Sequence, residues 1–327
     1  MTQQLKEKPS LILISGLARS GTTWLGKLFD SHSQTVYRHE PDSVNWLKEL
    51  PLFIEGDYRR YEALVRDFVS QLVTIRAPKV SSSMPVFPKS FMGPARRFLV
   101  KYSLSMVKIL SSLGINAEIP RYCIPRQDQD YVLVWKTIES SGRLGLYAEI
   151  LDKKRIIHIL RHPSGIISSR LRGEKLSKFG GYVAAEDYEM FRLLLNTSVG
   201  RKHGLSLEQI LAMAPVERLA WECLVSMEKA VKDLEGRPDG RIVVYEDLCS
   251  KPFEVMQQLF DFCGLNFDPQ THRFLVESTS KTRRSYYSII KDPLASAYKW
   301  KQELNATDQE LVRKQLERSP LARFWPD

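Results

Sequence analysis

The stretch that most restricts the fold is LILISGLARSGTTWLGKLF, near the N-terminus. It joins a short apolar run, residues 11–15, to an amphipathic run starting at Thr22, through a loop with glycine at 16 and 21. A short apolar run bounded by glycine reads as a strand buried on both faces of a parallel sheet. A strand, a glycine loop and a helix N-terminus in that order form an anion-binding corner. Backbone N–H groups and the positive helix end converge on it. The glycine spacing is that of a nucleoside-triphosphate loop, G-x-x-x-x-G-K-[ST], whose lysine reaches the β- and γ-phosphates. Here Thr22 stands at the lysine position, and the cation within the loop is Arg19. The loop therefore implies a different anion.

The alternation continues along the chain. Further strands are predicted over 35–41, ending at Pro41, and over YVLVW (131–135), RIIHIL (155–160) and RIVVY (241–245). Helical periodicity runs from Thr22 to about residue 30 and over 58–76, 94–113, 215–234, PFEVMQQLFDFCGL and 308–318. Residues 77–93, with three prolines and a serine run, read as a long loop of the kind that often binds ligands. Strands alternating with helices predict a single α/β domain over 11–327, a central parallel sheet flanked by helices, after a flexible tail at 1–10. Residues 42–130 and 174–215 are the expected ligand-binding insertions.

Lys and Arg number 48 against 38 Asp and Glu, a net charge of +10, which favours an anionic partner. The four cysteines, Cys123, Cys223, Cys249 and Cys263, lack C-x-x-C spacing, which argues against a zinc site and gives no disulfide framework. No run approaches the roughly 20 apolar residues of a membrane span. A soluble, cytoplasmic protein is expected. In the 94–113 helix, Arg96, Arg97, Lys101 and Lys108 lie beside Phe98, Leu99, Tyr102, Met106 and Leu110. The first expectation is that this apolar face is core; lying on a membrane is the second.

Four stretches in order carry a resemblance. They are RSGTTWL after the first strand, VWKT, ILRHPSGIISSRL and VVYEDLCSKPFEVMQQLFDFCGL. Together they resemble the sulfotransferases that use 3′-phosphoadenosine 5′-phosphosulfate (PAPS), a P-loop NTPase-like fold. The match is closer to the carbohydrate and bacterial branch than to the cytosolic phenol branch. The resemblance implies sulfuryl transfer from PAPS, with PAP as product and no metal, to a hydroxyl of a glycan, lipid or small molecule. Nucleic acid is not an implied partner. Such a donor has no β,γ-phosphate pair for a lysine, and Arg19 falls where the family places a cation beside the bridging oxygen. Ser20, Gly21, Thr22 and Thr23 would add donors, and Trp24 would stack on adenine. Arg161 and Ser169 would hold the 3′-phosphate; Tyr245 and Thr279 would lie near the nucleotide. Among Lys281, Arg283, Arg284 and Lys291 the resemblance does not choose.

The phenol branch places a histidine directly after K-T, where this chain has Ile138. The carbohydrate branch uses a glutamate near the second strand, and YRHEPD offers Glu40, with His39 as runner-up and Asp42 beside them. Glu40 is the expected base if burial moves its pKa toward neutrality. Lys136 would contact the transferring group. Two alternatives stay open: a P-loop kinase or NTPase, with Asp247 as its metal-binding acid, and a nucleotide-binding module without catalysis.

Overall fold

The computed structural model describes residues 9–43, 47, 49–126, 128–280 and 292–326. Five strands form one parallel sheet: β1 (Leu11–Ser15), β2 (Thr35–His39), β3 (Val132–Thr137), β4 (Lys154–Leu160) and β5 (Gly240–Val244). Their spatial order is β2-β3-β1-β4-β5. Leu11 pairs with Leu133 on one side and Lys154 on the other, so β1 is central and buried along its length.

Successive side chains of a strand point to opposite faces, and β1 divides accordingly. Ile12 and Ile14 pack with Leu25, Leu28 and Phe260 on one face, the side of helices Thr22–Ser31 and Pro252–Phe262. Leu11 and Leu13 pack with Phe68, Trp135 and Tyr147 on the other, the side of helices Glu62–Gln71 and Leu144–Ile150. A further cluster joins helices Pro163–Lys175, Pro215–Leu234 and Ala306–Glu317. The sheet is thus covered on both faces, as near-continuous apolar strands require.

Several boundaries differ from the sequence expectation. β2 stops at His39 because Glu40 adopts a positive φ of 47°, which an extended strand cannot continue. β3 extends two residues beyond 135, which puts Lys136 inside the sheet. Tyr245 begins helix Tyr245–Ser250 instead of ending β5. The 58–76 segment is an α-helix between two 3-10 turns, and the 77–93 loop contains a helical turn, Pro78–Ser81.

That loop is held by buried charge. The Lys27 ammonium, on the first helix, pairs with Asp30 and donates to the carbonyls of Ser83 (3.0 Å) and Pro85 (2.6 Å). Lys89 returns to Asp30 Oδ1 at 3.0 Å. Burial pulls Lys27 below its ordinary pKa, with Asp30 opposing. The two lysines outweigh burial and hold Asp30 below its own ordinary value. The shared carboxylate thus fastens the loop to the last turn of the first helix, beside the start of β2.

Candidate active site

In an open α/β sheet a ligand crevice forms beyond the strand carboxyl ends, where successive connections depart in opposite directions. Here the chain leaves β1 toward β2 and leaves β4 toward β5, so the crevice lies between β1 and β4. The glycine loop and Arg161 stand on its two sides.

The loop is built for close approach. Gly21 has φ +99°, and a Cβ there would come within 2.4 Å of the Tyr245 ring. Arg19 also takes a left-handed φ of 75°. The first helix then begins with no side-chain cap, and its first N–H groups have no partner within the helix. The Ser20 hydroxyl is buried and has no hydrogen-bond partner among the described residues. Thr22 is buried and Thr23 half-buried.

The two anion motifs meet. Arg19 Nε donates to Ser169 Oγ at 2.9 Å. One terminal nitrogen of Arg161 donates to the Arg19 carbonyl and the other to the Ser296 carbonyl, each at 2.8 Å. The guanidinium lies 4.6 Å from the Tyr245 ring centroid, while its Nε is buried without a partner among the described residues. Gly165 makes room for it: a Cβ there would stand 2.7 Å from Arg161 Nε. Ser169 therefore faces Arg19, where the sequence had grouped it with Arg161.

Trp24 is buried in the core that the first helix shares with helix Pro269–Ser280. Its indole N–H donates to Ser278 Oγ at 3.1 Å, and Tyr245 meets it edge-on. Thr279 turns its hydroxyl back onto the Leu275 carbonyl, so Ser278, which the sequence reading missed, is the residue of that pair facing the first helix. Lys281, Arg283, Arg284 and Lys291 lie outside the described residues.

At the ends of β2 and β3, register sets His39 opposite Lys136, and the Glu40 N–H donates to the Lys136 carbonyl at 2.8 Å. Lys136 is fully buried, not a solvated strand end, and its ammonium pairs with Glu40 Oε1. Lys79, from the 77–93 segment, stands 3.6 Å from Glu40 Oε2. Arg38 turns away to the carbonyls of Leu72 (2.8 Å) and Val73 (2.5 Å) and pairs with neither His39 nor Glu40.

Electrostatics correct the expectation for both base candidates. Burial favours a protonated Glu40, but the Lys136 ammonium, with Lys79 behind it, outweighs burial and holds the carboxyl below its ordinary pKa. Glu40 is a carboxylate at neutral pH, not one tuned upward. His39 is pushed down to about 3, first by burial and then by the Lys136 charge, so its imidazole is neutral. His39 Nδ1 lies 2.9 Å from the Tyr37 hydroxyl. Asp42 is buried behind them, accepting from Thr137 and from Ser140 (2.6 Å), which fixes the end of β3.

Sequence reasoning also missed the C-terminal contribution. The Trp300 ring stacks on His162 at 4.8 Å, and Glu303 accepts from Ser168 (2.5 Å) and pairs with Arg172. Trp325 Nε1 donates to Glu246 at 2.9 Å. These contacts close the segment over the Arg161 corner. No local pattern announces them, because the partners are far apart in the chain. Asp247, the acid a metal-dependent NTPase would need at a strand end, is exposed on helix Tyr245–Ser250. Among the described residues no group of three or more His, Cys, Asp or Glu is placed to hold a metal.

Human (Homo sapiens) carbohydrate sulfotransferase 2 is 23% identical over 303 residues, covering 84% of this chain and 56% of that protein. This chain thus spans little more than half of that relative. Human carbohydrate sulfotransferase 1 is 24% identical over 334 residues, covering 90% of this chain and 74% of its own. The solved sulfotransferase domain from the curacin biosynthetic pathway is 18% identical, covers 94% of this chain and 98% of its own, and has a TM-score of 0.44. The model of the sulfotransferase family matches residues 9–213, which take in the glycine loop, Glu40, Lys136, Arg161 and Ser169. On that match across more than half of its length, the chain belongs to the sulfotransferase family.

Proposed function

We propose that this chain moves a sulfuryl group from PAPS to a hydroxyl of a glycan, lipid or small-molecule acceptor. The observation that carries the reading is the junction of Arg19, Ser169 and Arg161 at the switch point, one strand away from the Lys136–Glu40 pair. Two orphaned polar atoms, Ser20 Oγ and Arg161 Nε, fit a ligand that brings oxygens to both sides of the crevice. A buried polar group without a partner is costly, and such a ligand removes the cost.

PAPS supplies the activated sulfuryl group. The new bond joins the acceptor oxygen to sulfur, and the bond from sulfur to the bridging oxygen breaks, leaving PAP. Arg19 stabilises charge growing on the bridging oxygen, as fixed cations do in phosphoryl transfer. Glu40 is already ionised and takes the acceptor proton. Lys136 and Lys79 keep it ionised and orient its two oxygens. Arg161 and the first-helix N-terminus hold the remaining anionic oxygens.

The test is transfer of labelled sulfate from PAPS to panels of glycans, lipids and phenols, with calorimetry of PAP alongside. PAP should bind without metal and more tightly than ATP. A strict Mg²⁺ requirement together with preference for ATP overturns the reading.

A further inference from the structure

Helix Pro94–Ser112 has two apolar faces. Val100, Leu104 and Val107 are buried against Ile119 and Cys123. At about 100° per residue, Phe98, Leu99, Tyr102, Met106, Ile109 and Leu113 fall on the other side, in an arc of about 100°. The sequence expectation placed five apolar residues of this helix in the core; Leu110 is half-buried, but Phe98, Leu99, Tyr102 and Met106 are exposed, as are Ile109 and Leu113, Phe98 by 76% and Leu113 by 70%. The helix also carries Arg96, Arg97, Lys101 and Lys108 and no Asp or Glu. Lys101 and Lys108 are exposed along one margin of the stripe.

We propose that this face docks on an anionic lipid surface. An exposed apolar stripe with cations at its margin is the pattern of a helix lying in the plane of a bilayer interface. The apolar side chains enter the boundary between headgroups and acyl chains, and the lysines reach anionic headgroups, with no carboxylate on the helix to repel them. A second copy fits less well, because apposing two such faces sets the same cations against each other. Among the described residues no helix is long and apolar enough to cross a membrane, so the contact is peripheral.

The surface is continuous with an interior space. A cavity of about 190 Å³ lies behind the helix, lined by Phe98, Val100 and Leu104 and, from the 77–93 loop and β2, Phe87 and Tyr37. Tyr37 in turn meets His39. On the sulfotransferase reading, an amphiphile drawn from the surface puts its apolar part in this cavity, one side chain away from His39 and the base beside it.

The experiment is co-sedimentation of the full chain with vesicles of phosphatidylcholine or of phosphatidylglycerol. Binding should be confined to phosphatidylglycerol and should weaken as salt rises. Phe98→Ser/Leu99→Ser/Tyr102→Ser should reduce it by about tenfold or more, and Lys101→Glu/Lys108→Glu should reduce it as well. PAP affinity measured in solution should be unchanged in both variants, which shows that they fold. Absence of phosphatidylglycerol binding overturns the proposal, as does binding that the triple variant retains. A dimer in analytical ultracentrifugation that the triple variant dissolves also overturns it, since a second copy then covers the stripe. Loss of PAP binding in the wild type with vesicle binding intact overturns the nucleotide reading alone.

Discussion

Glu40 and Arg161 hold charge in two different ways, and that difference sets the residue-scale predictions. Glu40 is ionised because the Lys136 and Lys79 ammonium groups outweigh burial. Glu40→Gln keeps the shape but removes the proton acceptor, so turnover should fall by roughly 10²–10⁴-fold. PAP affinity should stay within about twofold, since on the proposed reading Glu40 serves the acceptor; sulfate transfer and calorimetry check the two arms. The sign of the pH effect follows from the lowered pKa. Activity needs the carboxylate, is full above the lowered value and falls as pH drops through it. The acid limb should therefore lie below 4.5, the ordinary value for this carboxyl. A wild-type limb near neutrality, retained in Glu40→Gln, would assign the base elsewhere. Arg161 spends two of its nitrogens on protein carbonyls, at Arg19 and Ser296. Arg161→Ala should thus weaken PAP by about 1.5–3 kcal/mol and also lower the melting temperature, because each charged hydrogen bond lost leaves a carbonyl behind. The family resemblance named both residues, and the structure places each directly after a strand, Glu40 after β2 and Arg161 after β4. The sequence reading misjudged the Glu40 pKa because Lys136 and Lys79 reach the carboxylate only after three separate segments have folded together.

At the scale of elements, all five strands were legible as apolar runs bounded by turn residues. Their ends were less so, because a single residue decides them. Glu40 terminates β2 by its positive φ, and Tyr245 opens a helix by packing against Gly21 and Arg161. Periodicity marked 94–113 as helical and amphipathic, but it cannot tell which of two apolar arcs faces the core. Gly165, near the start of helix Pro163–Lys175, looked like an ordinary helix glycine. Alanine would favour the helix by up to about 1 kcal/mol, yet its Cβ would press on Arg161 Nε. Gly165→Ala should therefore retain helical content by circular dichroism while losing PAP affinity by about threefold or more. Unchanged affinity would show that Arg161 has room to move. Lys27→Met tests the fastening of the 77–93 loop. It leaves Asp30 buried with Lys89 as its remaining ammonium partner, and stability should drop by about 3–5 kcal/mol. Denaturant unfolding reads the loss, and limited proteolysis should cut first within the loop.

For the whole molecule, a parallel sheet gathers five strand ends at one edge, so residues from 19 to 245 share one crevice. This convergence follows from the alternation of strands and helices and was readable before any coordinates. The lid over the Arg161 corner was not. Trp300, Glu303 and Trp325 come from beyond the last strand and meet His162, Ser168 and Glu246 through contacts that no local pattern encodes. Replacing Trp300 and Glu303 together by alanine should leave the sheet intact yet weaken PAP by about tenfold, by loosening the segment that carries Ser296. Near-ultraviolet dichroism and calorimetry on the same sample separate the two effects.

The hydrogen bond from Arg161 to the Arg19 carbonyl makes the two ends of the crevice one mechanical unit. On the proposed reading, grip at the 3′ side then sets the posture of the arginine beside the reacting bond. A donor stripped of its 3′-phosphate, adenosine 5′-phosphosulfate, should consequently lose turnover at saturation as well as affinity. In a thermodynamic cycle the penalties for removing that phosphate and for removing the Arg161 side chain should overlap, their combined cost falling short of their sum. Full additivity would mean that the two corners act independently and that the bond between them only braces the loop.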